Sequence, residues 1–195
     1  MDDQRKVVFL DRDGVLIHDV HYLSHLEDIQ FYPDVPDGLK RLQRSGFLLV
    51  VITNQSGVAR GYFPPFFVSE CHARMNQILA SNRVALDHLY FCPHYHSGLP
   101  PYNIDCECRK PAPGMIFRAR RELNLSLQDA YMIGDKMCDV ELAHNADITG
   151  ILLTTGQGRE HQQPVLQVYP STPVFSSFSQ AVDYIISSTK GRLDS

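Results

Sequence analysis

The chain has 195 residues, 44% of them hydrophobic and 21% charged, with a formal net charge of −4. That length suits one well-packed domain over 1–195 and is short for two, and the composition excludes a disordered or fibrous chain. An acidic balance without basic stripes argues against nucleic acid or an anionic membrane as partner, so an anionic ligand would need local positive charge to hold it.

The opening "MDDQRK" runs straight into an apolar stretch without a signal-peptide core, and no apolar run approaches the ~20 residues of a membrane span, so a cytoplasmic protein is expected. Residues 6–17, "KVVFLDRDGVLI", read as a strand that ends on Asp11 and Asp13. Residues two apart on a strand point to one side, so the two carboxylates would crowd together where the strand leaves the core. A cation that offsets their repulsion is the natural reason for such a pair.

Further apolar runs of strand length follow at Phe47 to Ile52, His88 to Phe91, Tyr131 to Ile133 and Ile151 to Leu153. Between them lie helical patterns: after Pro36 with Leu39 and Leu42 on one face, after Pro64 and Pro65 with Cys71, Met75 and Leu79, after Pro113, and from Met137 to Ala146. A last helix is expected at about 177–187, where Phe178, Ala181, Val182 and Ile185 repeat at helical spacing. The Gln- and Pro-rich segment from Gln157 to Pro173 is expected to be a loop. Strands alternating with helices predict an α/β domain with a doubly wound, mostly parallel sheet and no separate cap.

In such sheets ligands bind beyond the carboxyl ends of the strands. There the sequence offers Asp11, Arg12 and Asp13 after the first strand, Thr53 and Asn54 after the second, Arg109 and Lys110 after the third, and Asp135, Lys136 and Asp139 after the fourth. These groups fit phosphoryl transfer assisted by Mg²⁺, a hard cation that takes carboxylate and phosphate oxygens. Asp11 is expected to be the nucleophile and Asp13 the general acid and base, with Thr53 and Lys110 holding the phosphoryl charge and Asp135 anchoring the metal. Asp139 either tethers the lysine or the metal surroundings, or faces water.

The motifs "DRDGV", "VITNQSGVARGYF", "CPH", "CRKPAPGM" and "IGDK" resemble the haloacid dehalogenase-like phosphatases. Within them they are most similar to the D-glycero-D-manno-heptose 1,7-bisphosphate 7-phosphatases, with histidinol-phosphate phosphatases next. The resemblance implies a phosphomonoesterase working through an aspartyl phosphate on a sugar bisphosphate, in nucleotide-activated heptose synthesis for lipopolysaccharide. It implies Mg²⁺ bound by Asp11, the Asp13 carbonyl and Asp135. It also implies substrate contacts from Arg12, Asp19, Tyr22, Asn54, Gln55, Ser56 and Lys136, with Arg109 on the second phosphate. Ile17 and the pair before Tyr22 depart from the heptose pattern. A monomer is expected only by analogy of fold.

The segment from Cys92 to Cys108 holds Cys92-x-His94 and, eleven residues on, Cys106-x-Cys108. Three thiolates and an imidazole suit a closed, structural Zn²⁺ site in a proline-rich loop at about 92–108, with His96 as a rival ligand that the resemblance disfavours. Cys71 and Cys138 are read as core thiols, and His18, His21 and His25 as surface residues. A function of another class is a zinc-stabilised binding module on an idle phosphatase fold. A nucleic-acid 3′-phosphatase is a further alternative, which the acidic balance disfavours.

Overall fold

The apolar runs pair side by side because each is short, rich in branched residues and buried on both faces, the pattern of a parallel sheet. The computed structural model describes residues 5–190. Its strands are β1 (Lys6–Leu10), β2 (Phe47–Asn54), β3 (His88–Cys92), β4 (Tyr131–Gly134), β5 (Thr149–Leu153) and β6 (Val174–Phe175). Among the described residues they form one sheet in the order β3-β2-β1-β4-β5-β6. Every pair is parallel.

The helices are α1 (Val35–Arg44), α2 (Ser56–Ala59), α3 (Pro65–Leu79), α4 (Gly114–Leu123), α5 (Met137–Asn145), α6 (Gly158–Val168) and α7 (Phe178–Lys190). Alternation along β1 sorts them onto two faces. Val8 and Leu10 pack with residues of α1, α3 and α7, while Val7 and Phe9 pack with residues of α4 and α5. Each such fully buried aliphatic or aromatic side chain stabilises the fold by roughly 1.5–3 kcal/mol. The doubly wound architecture expected from the sequence is the one observed. The ends of the single-domain span, residues 1–4 and 191–195, lie outside the described residues.

One expectation is corrected. The segment from Gln157 to Pro173 is not a loop: α6 occupies most of it, and β6 comes directly after. Pro164 sits inside α6, and only Gly158 and Val165 of that helix are buried. The helix therefore lacks the apolar stripe that periodicity detects, and its proline signals a break. No described helix is long and apolar enough to cross a membrane.

The strand order reverses between β1 and β4, which separates the connections leaving their carboxyl ends and opens a crevice there. Two long connections, 11–34 and 93–113, frame it. The polar groups of the chain gather at this edge, on the residues just beyond each strand tip.

Candidate active site

Asp11 continues the ladder for one residue, its N–H donating to the Ile133 carbonyl at 2.9 Å, before Gly14 turns the chain with φ +86°. A side chain at Gly14 would strike the Asp135 carboxylate, so only glycine lets this loop lie against the end of β4. Thr53 lies near the end of β2 and is 1% exposed, and Asp135 directly follows β4 and is wholly buried. Lys110 comes instead from the irregular connection between β3 and α4. The side-chain amide of Asn54 holds it there, donating to the Lys110 carbonyl at 3.2 Å and accepting from the Lys110 N–H at 3.0 Å.

The Lys110 ammonium lies 2.9 Å from Asp11 and 2.6 Å from Asp139, and donates to the Ile52 carbonyl at 3.1 Å. Burial disfavours its charge, yet the two carboxylates outweigh burial and hold it above the ordinary lysine range. For Asp11 burial acts upward, but attraction to Lys110 and Lys136 prevails and keeps the carboxyl ionised below its usual value. Asp135 goes the other way: burial first, then the charge of Asp11, push it up to about 7. Two neighbouring carboxylates thus differ in environment: Lys110 overcomes burial at Asp11, whereas the more distant Lys136 does not overcome it at Asp135.

Asp13 is held by a clamp. The Arg12 guanidinium reaches both its oxygens at 2.9–3.1 Å, and the Gln55 amide donates to it at 3.0 Å. Gln55 also donates to the Thr53 hydroxyl oxygen at 2.8 Å and accepts from Arg12 at 3.0 Å. With its oxygen accepting from Gln55, Thr53 has its own O–H left to donate to a ligand. Arg12 is 3% exposed and does not line the cleft. Its Nε and Nη2 are committed to Asp13 and Gln55, behind the cleft surface. Gln55 and Asn54 border the cleft, with their amides bonded to neighbouring side chains or backbone.

The cleft, about 290 Å³ in volume, is lined by these residues and by Asp19, Tyr22, Ser56, Arg109, Lys136 and Gln157. Asp19 accepts from Lys136 at 3.4 Å and from Gln157 at 3.1 Å. Gln157 is a site residue that the sequence reasoning missed. Its backbone N–H donates to Asp135 at 2.9 Å, and the neighbouring Gly156 would collide with Asp135 if it carried a side chain. The strand-tip stretch "TTGQG" carries the signal, which is obscured because the proline-bearing segment beyond it reads as a loop. Cys138 is a second correction: it is a half-buried wall of the cleft rather than a core thiol, with burial and Asp139 pushing it up to about 12. Cys71 is in the core. His21 lines the cleft in a left-handed conformation, φ +66°, while His18 and His25 do not line it.

The oxygen atoms of Asp11, Asp135 and Asp139 converge within 4.8 Å of one another. Asp135 Oδ1 is buried without a hydrogen-bond partner, the nearest cation being the Lys136 ammonium at 3.6 Å. A buried carboxylate oxygen left unpaired is costly, and an all-oxygen set beside the cleft suits a hard divalent cation. Asp139 both pairs with Lys110 and belongs to this carboxylate group, so the geometry serves the lysine and the metal surroundings alike.

Cys92, His94, Cys106 and Cys108 offer ligand atoms within 4.8 Å of one another. The sulfur–sulfur separations of 3.5 Å and 3.2 Å, and His94 Nδ1 at 3.3 Å from Cys108, approach the ~3.8 Å edges of a tetrahedral thiolate site around zinc. Burial and the neighbouring thiols hold Cys108 above the ordinary range, so deprotonating this set calls for a cation. His96 is outside the cluster and packs on Tyr95 at 4.7 Å.

Similarity to known proteins covers most of the chain. The HAD-hydrolase-like family model matches residues 107–181. The D-glycero-beta-D-manno-heptose-1,7-bisphosphate 7-phosphatase of Haemophilus ducreyi is 43% identical over 155 residues, covering 78% of this chain and 85% of that protein. The enzyme of the same name from Escherichia coli K12 is 40% identical over 152 residues, 77% of this chain and 80% of that one. The chain belongs to this family of haloacid dehalogenase-like phosphatases. Among solved structures, the D,D-heptose 1,7-bisphosphate phosphatase of B. bronchiseptica, complexed with magnesium and phosphate, matches with a TM-score of 0.83 at 28% identity, covering 94% of this chain and 99% of that one. A HAD-like phosphatase from Mesorhizobium loti matches at 0.74 and 34% identity, covering 77% and 73%.

Proposed function

We propose that this phosphatase removes the 7-phosphate of D-glycero-β-D-manno-heptose 1,7-bisphosphate, with Asp11 as nucleophile and Asp13 as acid and base. The observation that carries the chemistry is the buried Asp11–Lys110–Asp139 array, which keeps Asp11 ionised in a cleft where the Thr53 hydroxyl is left to donate. The substrate follows from the names of the relatives and from cations placed beyond the reacting centre.

Asp11 Oδ1 is engaged by the Arg12 N–H at 2.8 Å and by Lys110, which leaves Oδ2, carrying no hydrogen bond, as the attacking atom. Its attack on phosphorus forms an aspartyl phosphate as the ester P–O bond breaks, and Asp13 delivers a proton to the departing sugar oxygen. Asp13 then takes a proton from the water that attacks phosphorus and releases Asp11. Thr53 and Lys110 hold the charge on the phosphoryl oxygens, and Gln55 fixes Thr53 and Asp13 relative to each other. Asp11, Asp135 and the Asp13 carbonyl would hold Mg²⁺, which supplies charge neutralisation to the transferring group when bound. Cys92, His94, Cys106 and Cys108 would hold a structural Zn²⁺. Because Arg109 directly follows Cys108, the cluster sets where that guanidinium enters the cleft.

The test is Mg²⁺-dependent phosphate release from the heptose bisphosphate, histidinol phosphate and fructose 1,6-bisphosphate, with Asp11→Asn as blank. Strong preference for the heptose is expected. Even, weak turnover of all three would move the substrate elsewhere, and no turnover by a folded, metal-loaded protein would favour a binding module.

A further inference from the structure

The cations of the site fall into two groups. Arg12, Lys110 and Lys136 each lie within 4 Å of a carboxylate. Among the described residues, neither Arg60 nor Arg109 is paired with one. Both guanidinium carbons lie over a single aromatic ring, that of Tyr95, at 4.2 Å for Arg60 and 5.3 Å for Arg109. Arg60 also lies 5.9 Å over the ring of Tyr22, which lines the cleft. Its Nε is buried and finds no hydrogen-bond partner, and Arg109 makes a single hydrogen bond, to the His94 carbonyl at 3.1 Å.

Two like charges converging on one ring repel each other, and the attraction of the ring offsets only part of that. Without a carboxylate beside them, the two guanidiniums concentrate positive charge where Arg109 meets the cleft, whose other charged groups are net acidic. That is the electrostatic signature of a receptor for an anion. The chain fixes the arrangement locally. The Leu99 N–H donates to the Ala59 carbonyl, and a side chain at Gly98 would meet Ala59 Cβ at 2.6 Å, so the cysteine loop docks closely on the residue before Arg60. The Tyr95 N–H donates to the Tyr102 carbonyl at 3.0 Å, which fixes the ring's backbone across the same loop.

We propose that Arg60, Tyr95 and Arg109 form one stacked unit that receives the second phosphate of the substrate. Arg109 touches that phosphate, and Arg60 and Tyr95 act as positioning residues that hold its guanidinium and keep the local charge positive. This deepens the function proposed above and rests on it, together with the expectation that Arg109 meets the second phosphate.

The test compares kcat/KM on D-glycero-β-D-manno-heptose 1,7-bisphosphate with that on the same sugar carrying only the 7-phosphate, using zinc-loaded protein in Mg²⁺. Arg60→Gln and Tyr95→Ala are each expected to lower the preference for the bisphosphate by about fivefold to tenfold, with the loss in KM rather than kcat. Tyr95→Phe should retain the preference and Arg60→Lys recover part of it. Zinc content is measured for each variant, and Arg60 lies far enough in sequence from the cysteines to serve if Tyr95→Ala loses metal. Equal losses on both substrates, or no change in preference, overturn the stacked unit. If Arg109→Gln also leaves the preference intact, the second-phosphate assignment fails with it; if Arg109→Gln alone removes the preference, only the roles of Arg60 and Tyr95 fail.

Discussion

The cleft draws its carboxylates from the tips of β1 and β4 and its hydroxyl from β2, whereas three of the four groups in the cysteine cluster come from a connection without regular structure. The two regions touch. Asn54 at the end of β2 is in register with Cys92 at the end of β3, and Lys110 is only two residues past Cys108. In the cleft, backbone ladders place groups whose charges then neutralise one another. In the cluster, three thiols and an imidazole are crowded together, with burial holding Cys92 and Cys108 above the ordinary range, so a bound cation supplies the order that the irregular connection lacks. The lysine that completes the cleft is therefore delivered by the less ordered region, and damage to one should reach the other in one direction only.

The largest expected effect breaks the cleft alone. Asp11→Asn removes the nucleophile and should reduce turnover by ~10⁴-fold or more, since groups acting as one unit fail together. Zinc content and thermal stability should stay close to wild type. Residual turnover above that level would remove Asp11 from its role.

A smaller loss should follow from breaking the cluster. Cys106→Ser, or zinc removal by a chelator, should lower kcat/KM by about 10²-fold, the size of a misplaced catalytic group, because Arg109 and Lys110 lose their approach to the cleft. Circular dichroism should still report the sheet, whose opposite core face does not involve the cluster. Full activity in a zinc-free protein would uncouple the two regions.

The contrast also marks what the sequence makes legible. Asp11, Asp13, Thr53 and Asp135 stand at or beside the ends of apolar runs of strand length, so periodicity alone places them at one edge of a sheet. The cysteine spacing picks out four groups that the structure brings together. Arg12 and Gln55 read as ligand contacts because a cation and an amide beside a phosphate site offer donors, whereas their bonds to Asp13 leave no trace in the sequence. Nothing in residue type shows that they turn inward onto Asp13. Helix α6 is hidden by Pro164 and by the absence of a stripe, and with it go Gln157 and the glycine that shields Asp135.

The Asp13 clamp sharpens the picture within the cleft. Gln55→Leu keeps the volume but removes two donated hydrogen bonds, to Asp13 and Thr53. The expected cost is roughly tenfold in kcat, a part of the 10²–10⁴-fold that a positioned acid and base contribute, with KM nearly unchanged. A loss confined to KM would return Gln55 to substrate contact.

The smallest effect concerns Asp135, whose charge Lys136 offsets only in part. In metal-free protein Asp135 titrates near 7 when folded, against 3.8 in the unfolded chain. Between these values the folded protein binds a proton that the unfolded chain has released. That contribution to stability is complete below 3.8 and is lost as the pH rises through 7. The midpoint of thermal unfolding without Mg²⁺ should therefore drop by roughly 5–10 °C across this window relative to Asp135→Asn, whose amide cannot ionise. At pH 8 Mg²⁺ should restore the difference, because a cation bound only to the folded state replaces the missing proton. It should do little near pH 4, where the proton already occupies Asp135. Equal Mg²⁺ responses in wild type and Asp135→Asn at pH 8 would place the cation elsewhere, and would leave the unpaired Oδ1 as a structural cost without a ligand to explain it.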